Sequence, residues 1–123
     1  MERMAGGQIL QIAESSIGAD RCELQLEGEL DLWSVERLQA VLGRVARDNS
    51  ALVVGLESCE FVDSTGIALF LQVHRQLEAE GGRLVLYGCS DQVLRIFTVA
   101  GLTDEGMVFD NRGEAIAELA AVE

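Results

Sequence analysis

The residues with the clearest chemical potential are two hydroxyls that follow an aspartate, in Phe61-Val62-Asp63-Ser64-Thr65-Gly66. The segment lies between an apolar run, Ala51 to Leu56, and an amphipathic pattern, Ile67 to Leu77. A strand that ends in Asp-Ser-Thr-Gly and feeds a helix sets Ser64 and Thr65 at the helix N-terminus. There they lie beside backbone N–H groups without intrahelical partners and the positive end of the helix dipole. Such hydroxyls can cap the helix or carry a phosphate, and the tetrapeptide alone leaves both uses open. Its position adds weight to the second, because ligands and partners of parallel α/β sheets gather at the carboxyl ends of the strands.

Signals for catalysis are thin. His74 is the single histidine; it falls on the inward stripe of its helix pattern, with no acid or nucleophile spaced to work with it, and reads as a packed core residue. No glycine-rich nucleotide loop of either common type is present. No His, Cys and carboxylate set has the sequence spacing of a metal site. The chain therefore reads as a protein that is not an enzyme and holds no cofactor of its own. Cys22, Cys59 and Cys89 make an odd set, as expected of reduced thiols. Cys59 and Cys89 each follow a predicted strand, which makes them candidate neighbours.

The elements that must position Asp63 and Ser64 follow from hydrophobic period. Ile9 to Ile12 is a short apolar patch, and Cys22 to Glu27 alternates with period two. Ser16 to Asp20 reads as the turn that joins them into a hairpin. Gly28-Glu29-Leu30-Asp31 ends the second strand and offers Asp31 as the N-cap of a helix whose Val35, Leu38, Val41, Leu42 and Val45 recur at helical spacing. Ala51 to Leu56 and Arg83 to Tyr87 are apolar runs of strand length, the pattern of parallel strands covered on both faces. Between them runs a helix with Ile67, Phe70, Leu71, His74 and Leu77 on one stripe, stopped at Gly81-Gly82. Ser90-Asp91 caps a third helix with Val93, Leu94, Phe97 and Ala100 inward. Met107 to Phe109 forms a last strand and Gly113 to Val122 a last helix. The fold class is α/β: a small mixed sheet, an N-terminal hairpin joined to a parallel strand–helix–strand core, with about four packed helices.

Bulk composition narrows the partners. At 123 residues the chain reads as one domain, 1–123, with a core from about 9 to 119. It has 21 acidic against 9 basic residues, a formal net charge of −12. A surface so charged repels nucleic-acid phosphates and anionic lipid, and suits a partner with a basic face. No apolar run is long enough for a membrane span, and Met1 to Gly7 lacks a signal-peptide pattern. Cytoplasmic localisation is the expectation. Trp33, just after Asp31, reads either as core or as a partner anchor. The oligomeric state is left open.

Three ordered motifs together carry a resemblance. With Gly28-Glu29-Leu30-Asp31, then Phe61-Val62-Asp63-Ser64-Thr65-Gly66, then Val93-Leu94-Arg95-Ile96-Phe97 followed by Ala100-Gly101-Leu102, the chain resembles the STAS domains, and within them the bacterial anti-sigma factor antagonists. The likeness runs from about Ile9 to Leu119. It implies a protein that, unphosphorylated, binds an anti-sigma factor and so frees the sigma factor. In that family the anti-sigma factor is also a serine kinase with a histidine-kinase-like ATPase fold, which supplies the ATP and magnesium. The resemblance implies Ser64 as the phosphorylated residue, with Thr65 as a second hydroxyl, and a metal-dependent serine phosphatase as the enzyme that resets it. It implies a partner-facing surface at Asp31, Trp33, Asp63, Ser64, Thr65, Gly66 and Ile67. The alternative within the same resemblance is a STAS subunit of a signalling scaffold or membrane transport complex that does not switch.

Overall fold

A computed structural model describes residues 9–120. Two antiparallel strands, β1 (Gln11–Gly18) and β2 (Arg21–Leu30), form the hairpin. They are followed by α1 (Val35–Asp48), β3 (Ala51–Val62), α2 (Ser64–Ala79), β4 (Arg83–Tyr87), α3 (Asp91–Ala100), β5 (Val108–Phe109) and α4 (Arg112–Ala120). The strands lie in the order β1-β2-β3-β4-β5, and every pairing after the hairpin is parallel. The hairpin turn is tighter than the sequence suggests. Only Ala19 and Asp20 lie outside the strands, and Asp20 takes a positive φ of 60°, a conformation that aspartate tolerates better than most residues.

The largest departure from the sequence reading is β3, expected to stop at Leu56 and found to run to Val62. Gln25 pairs with Gly55 but Glu27 with Ser58; Gly28 pairs with Cys59 but Glu29 with Phe61. Each step inserts one extra residue into β3, so the strand carries two bulges. Between Leu56 and Val62 only Leu56, Cys59 and Val62 are buried, a period of three instead of two. The acidic segment Glu57 to Glu60 is thus bulged strand. Cys59 points into the core, where burial pushes its thiol up to about 11. Cys22, Cys59 and Cys89 are all free thiols.

The sheet divides the molecule into two unequal halves. On one face Leu24, Leu26, Leu30, Leu52, Val54, Leu56, Leu84 and Leu86 meet Leu38 and Leu42 of α1, Ile67 and Phe70 of α2, and Val93 and Phe97 of α3. Phe70 and Phe97 stack edge to face with ring centroids 6.5 Å apart, an arrangement that their ring quadrupoles favour. On the other face Ala51, Val53, Val85 and Tyr87 pack with Ala115 and Leu119 of α4, and the partly buried Ile17, Phe109 and Ile116 close around them.

Glu23 holds that thinner side together. The alternation of β2 sets it on the polar face, yet it is 4 % exposed. Arg112 at the start of α4 donates to both of its carboxylate oxygens, from Nε at 3.1 and 3.0 Å and from Nη2 at 2.9 Å. The Tyr87 hydroxyl donates to Glu23 Oε2 at 2.7 Å, and Gln25 Nε2 donates to the same oxygen at 2.8 Å. Gly55 makes this geometry possible. Gln25, Gly55 and Tyr87 are in register on adjacent strands, and a Cβ at residue 55 would lie 2.5 Å from Gln25 Oε1 and 2.6 Å from the Tyr87 hydroxyl.

The Arg112 hydrogen bonds, followed by those from Tyr87 and Gln25, hold the Glu23 carboxyl below the usual carboxylate range against the opposing effect of burial. A carboxyl whose pKa is lowered by folding contributes stability that is fully present above its unfolded pKa and is lost as pH falls through the folded one. Urea unfolding followed from pH 7 down to pH 3 should therefore show a stability loss on the acid side that Glu23→Gln flattens. At neutral pH Glu23→Ala should cost about 1–3 kcal/mol, because the buried Tyr87 hydroxyl loses its acceptor.

Candidate functional site

The parallel pairing of β2 with β3 ends with Leu30 beside Val62, so both strands release the chain at the same edge of the sheet. The Asp63 N–H donates to the Leu30 carbonyl at 3.0 Å and extends this pairing by one bond. Past that bond lie the two turns on which the sequence reading converged, 31–34 and 63–66.

Asp63 is the N-cap of α2. Its Oδ1 accepts the Thr65 N–H at 3.0 Å, the Gly66 N–H at 3.2 Å and the Thr65 hydroxyl at 2.5 Å. Capping is therefore complete without Ser64, which is the first helical residue, exposed, with its hydroxyl free of any protein partner. Asp63 caps the helix, Thr65 is tied to the cap, and the Ser64 hydroxyl takes no part in holding either. Gly66 is buried, and a Cβ there would meet Leu30 Cδ2 at 2.6 Å and Val62 Cγ1 at 3.0 Å. Its smallness lets α2 sit close on the ends of β2 and β3.

Asp31 does not cap α1, contrary to the sequence reading. Ser34 is the N-cap, and Asp31 instead organises the turn before it. The Asp31 carbonyl accepts from the Ser34 and Val35 N–H groups at 3.0 and 2.9 Å, while its Oδ1 accepts the Trp33 N–H at 3.0 Å. The Ser34 hydroxyl, buried beneath, donates to the Glu29 carbonyl at 3.0 Å and accepts the Asp31 N–H at 3.1 Å. The turn holds Leu32 and Trp33 outward, each 68 % exposed. Trp33 is thereby removed from the core reading.

On the opposite side of Ser64 runs an apolar groove lined by Ser64, Ile67, Gln92, Arg95, Ile96 and Val99. Ile67 forms its floor and is nearly buried, whereas Val99 is 89 % exposed. The sequence reading missed this surface. It placed Ala100 inward on α3, but Ala100 is exposed and Leu94 only half-buried. A signal was present: Gln92, Arg95, Ile96 and Val99 follow the i, i+3, i+4, i+7 spacing of a second stripe, rotated from the buried Val93 and Phe97. Ser64 thus stands between two apolar surfaces, the Leu32–Trp33 turn after β2 and the α3 face after β4, with the half-exposed Phe61 just before it.

Comparison with known proteins agrees with this architecture. A family model described as "Mlab, STAS domain" matches residues 14–109, and the chain belongs to the STAS domain family. The anti-sigma-B factor antagonist of Staphylococcus aureus is 35 % identical over 83 residues, 67 % of this chain and 77 % of that protein. The unphosphorylated form of the anti-sigma factor antagonist SpoIIAA is similar in structure, with a TM-score of 0.78 and 27 % identity over 92 % of this chain and 99 % of SpoIIAA. The phosphorylated form of SpoIIAA, a Bacillus cell fate determinant, gives 0.71 and 25 % over 88 % and 97 %. A sulfate transporter family protein from Wolinella succinogenes shares the fold, with a TM-score of 0.72 and 20 % identity over 88 % of this chain and 91 % of the other. Among the described residues no helix is long and apolar enough to cross a membrane.

The division of roles at 63–65 has a direct consequence for stability. Asp63→Ala should destabilise by about 0.5–2 kcal/mol, the range for loss of an N-cap, whereas Ser64→Ala should stay within about 0.5 kcal/mol of the parent, as for a surface residue without a partner. Chemical denaturation of the two variants side by side checks this; equal losses would make Ser64 a structural residue.

Proposed function

We propose that this protein is an anti-sigma factor antagonist whose affinity for its partner is gated by phosphorylation of Ser64. The unphosphorylated form binds an anti-sigma factor, itself a serine kinase of histidine-kinase-like ATPase fold, and so releases the sigma factor. The kinase supplies ATP and magnesium, and a metal-dependent serine phosphatase reverses the modification. The observation that carries this reading is the exposed, unpartnered Ser64 hydroxyl at the N-terminus of α2, with Asp63 and Thr65 already engaged with each other. The names of the relatives support the antagonist role. The likeness to SpoIIAA in both its unphosphorylated and phosphorylated forms supports a modification that leaves the fold in place.

The chemistry of the edge explains how a phosphate would act. It adds about −1.5 to −2 charges beside Asp63, and the backbone N–H groups and dipole of α2 tolerate that charge. A partner packed on Leu32, Trp33, Ile96 and Val99 would cover Ser64 and desolvate the new dianion. A loss of about 3–4 kcal/mol, the scale for stranding a buried charge, weakens binding several-hundredfold. No rearrangement within this chain is required. Thr65 is the poorer phosphate acceptor, because its hydroxyl is held by Asp63.

Ser64→Ala and Ser64→Asp proteins used as paired baits in lysate of the native host provide the test. The Ala form should retain a kinase-like ATPase that the Asp form loses, and phosphate incorporation by that ATPase should vanish in Ser64→Ala but persist in Thr65→Ala. Trp33→Ala and Val99→Glu should weaken retention at least about tenfold, as expected for hot-spot contacts. Identical partners on both Ser64 baits, or a transporter subunit on each, would instead mark a subunit that does not switch.

A further inference from the structure

Far along α2 from Ser64, a histidine is buried in a state that its own protein leaves unsatisfied. His74 has no exposed surface, and neither Nδ1 nor Nε2 has a hydrogen-bond partner. A buried polar group without a partner costs free energy and calls for an explanation. Two carboxylates point at the same ring atom. Glu78, one turn further along α2, places Oε2 3.6 Å from Nε2, and Glu105 places Oε1 3.9 Å from it. Both distances are too long for a hydrogen bond. They are close to the separations of about 3–4 Å expected between ligand atoms that each lie about 2.0–2.2 Å from a shared zinc ion.

We propose that His74 Nε2, Glu78 and Glu105 form a binding site for a divalent transition-metal ion of the zinc class. The three ligand atoms lie within 4.8 Å of one another. One imidazole with two carboxylates is a donor set suited to such an ion, and it leaves a coordination position for water. His74 and Glu78 share a face of α2 by their i, i+4 spacing. Glu105 comes from the turn between α3 and β5, 31 residues beyond His74 in sequence, which hid the set from inspection of the chain alone.

That turn is built to hold its carboxylate in place. The Glu105 N–H donates to the Gly101 and Leu102 carbonyls, both at 3.2 Å, and the Met107 N–H donates to Leu102 at 3.4 Å. Arg83 Nη2 donates to the Gly106 carbonyl at 2.5 Å, which fixes the turn to the start of β4. The second oxygen of Glu105 faces Arg75 at 3.6 Å, so Oε1 is the one presented to His74. Glu78 is 57 % exposed and Glu105 34 % at the side chain, which leaves an ion a path from solvent to a buried nitrogen. A bound ion would clip α2 to the α3–β5 turn about 15 Å from Ser64, ten residues at 1.5 Å each along the helix.

Isothermal titration of the metal-stripped full chain with zinc chloride tests the site. One saturable equivalent is expected, with a rise in Tm on zinc addition. Glu78→Gln and Glu105→Gln, both at side chains open to solvent, should each weaken zinc affinity at least about tenfold, while the exposed Glu36→Gln on α1 should leave it unchanged. Cobalt(II) in place of zinc should give a visible spectrum without a thiolate charge-transfer band, and zinc should shift the His74 ring nitrogens in NMR. No saturable binding, affinities unmoved in both Gln variants, or a thiolate band assigning the ion to cysteine would overturn the proposal. Zinc affinity should be the same in Ser64→Asp, so this outcome stands or falls separately from the phosphorylation reading.

Discussion

The constraint on which the candidate site depends is the parallel pairing of β2 with β3. Parallel neighbours end on the same side of a sheet, and here Leu30 and Val62 end in register. The Asp63 N–H closes the pairing on the Leu30 carbonyl, and Gly66 lets α2 rest against Leu30 and Val62. The turn that holds out Trp33 and the turn that holds out Ser64 are thereby set side by side, although about thirty residues of chain and a whole helix separate them. The two bulges in β3 belong to the same design. They let a twelve-residue strand run beside a ten-residue one and still finish level with it, and bulges commonly re-aim side chains where a sheet meets its binding edge.

The two faces of the sheet are held by different physics. Three helices bury leucine, valine and phenylalanine on one face, and hydrophobic burial suffices there. On the other face the docking of α4 is fixed by a directional polar network around Glu23, in which β2, β4 and α4 each contribute a group and Gly55 leaves the space between them. Such a network specifies where α4 sits more sharply than its few apolar contacts can.

What the sequence conveyed and what it hid follow from the range of the interactions. Ser90 as a cap, the stop of α2 before Gly81-Gly82 and the buried runs that open β3 and form β4 are local, and each was readable from a few neighbouring residues. The Ser64 and Thr65 hydroxyls differ in a way that no local rule separates, because the Asp63–Thr65 bond is a matter of side-chain rotamer. The second half of β3 was hidden because the bulges replace the strand period with one of three. Asp31 lost its cap to Ser34 because the turn runs three residues further before the helix begins. Glu23 looked like an ordinary solvent-facing strand residue; its partners Tyr87 and Arg112 lie 64 and 89 residues away. The exposed stripe of α3 was overlooked for a related reason, since a helix with two apolar faces gives a pattern that fits more than one orientation.

The separation of cap from hydroxyl at 63–65 bears on how long each form of the protein would persist. Proteases act on chains that open, at rates set by the folding equilibrium or by its opening step. A phosphate on a hydroxyl with no part in holding the helix would break no bond of the cap, and the positive end of α2 would favour its charge. Under the proposed phosphorylation of Ser64, the modified molecules would then be turned over no faster than the unmodified ones, and a cell could keep a standing reserve of them. Recovery of the unmodified form would need only removal of the phosphate, with no new synthesis.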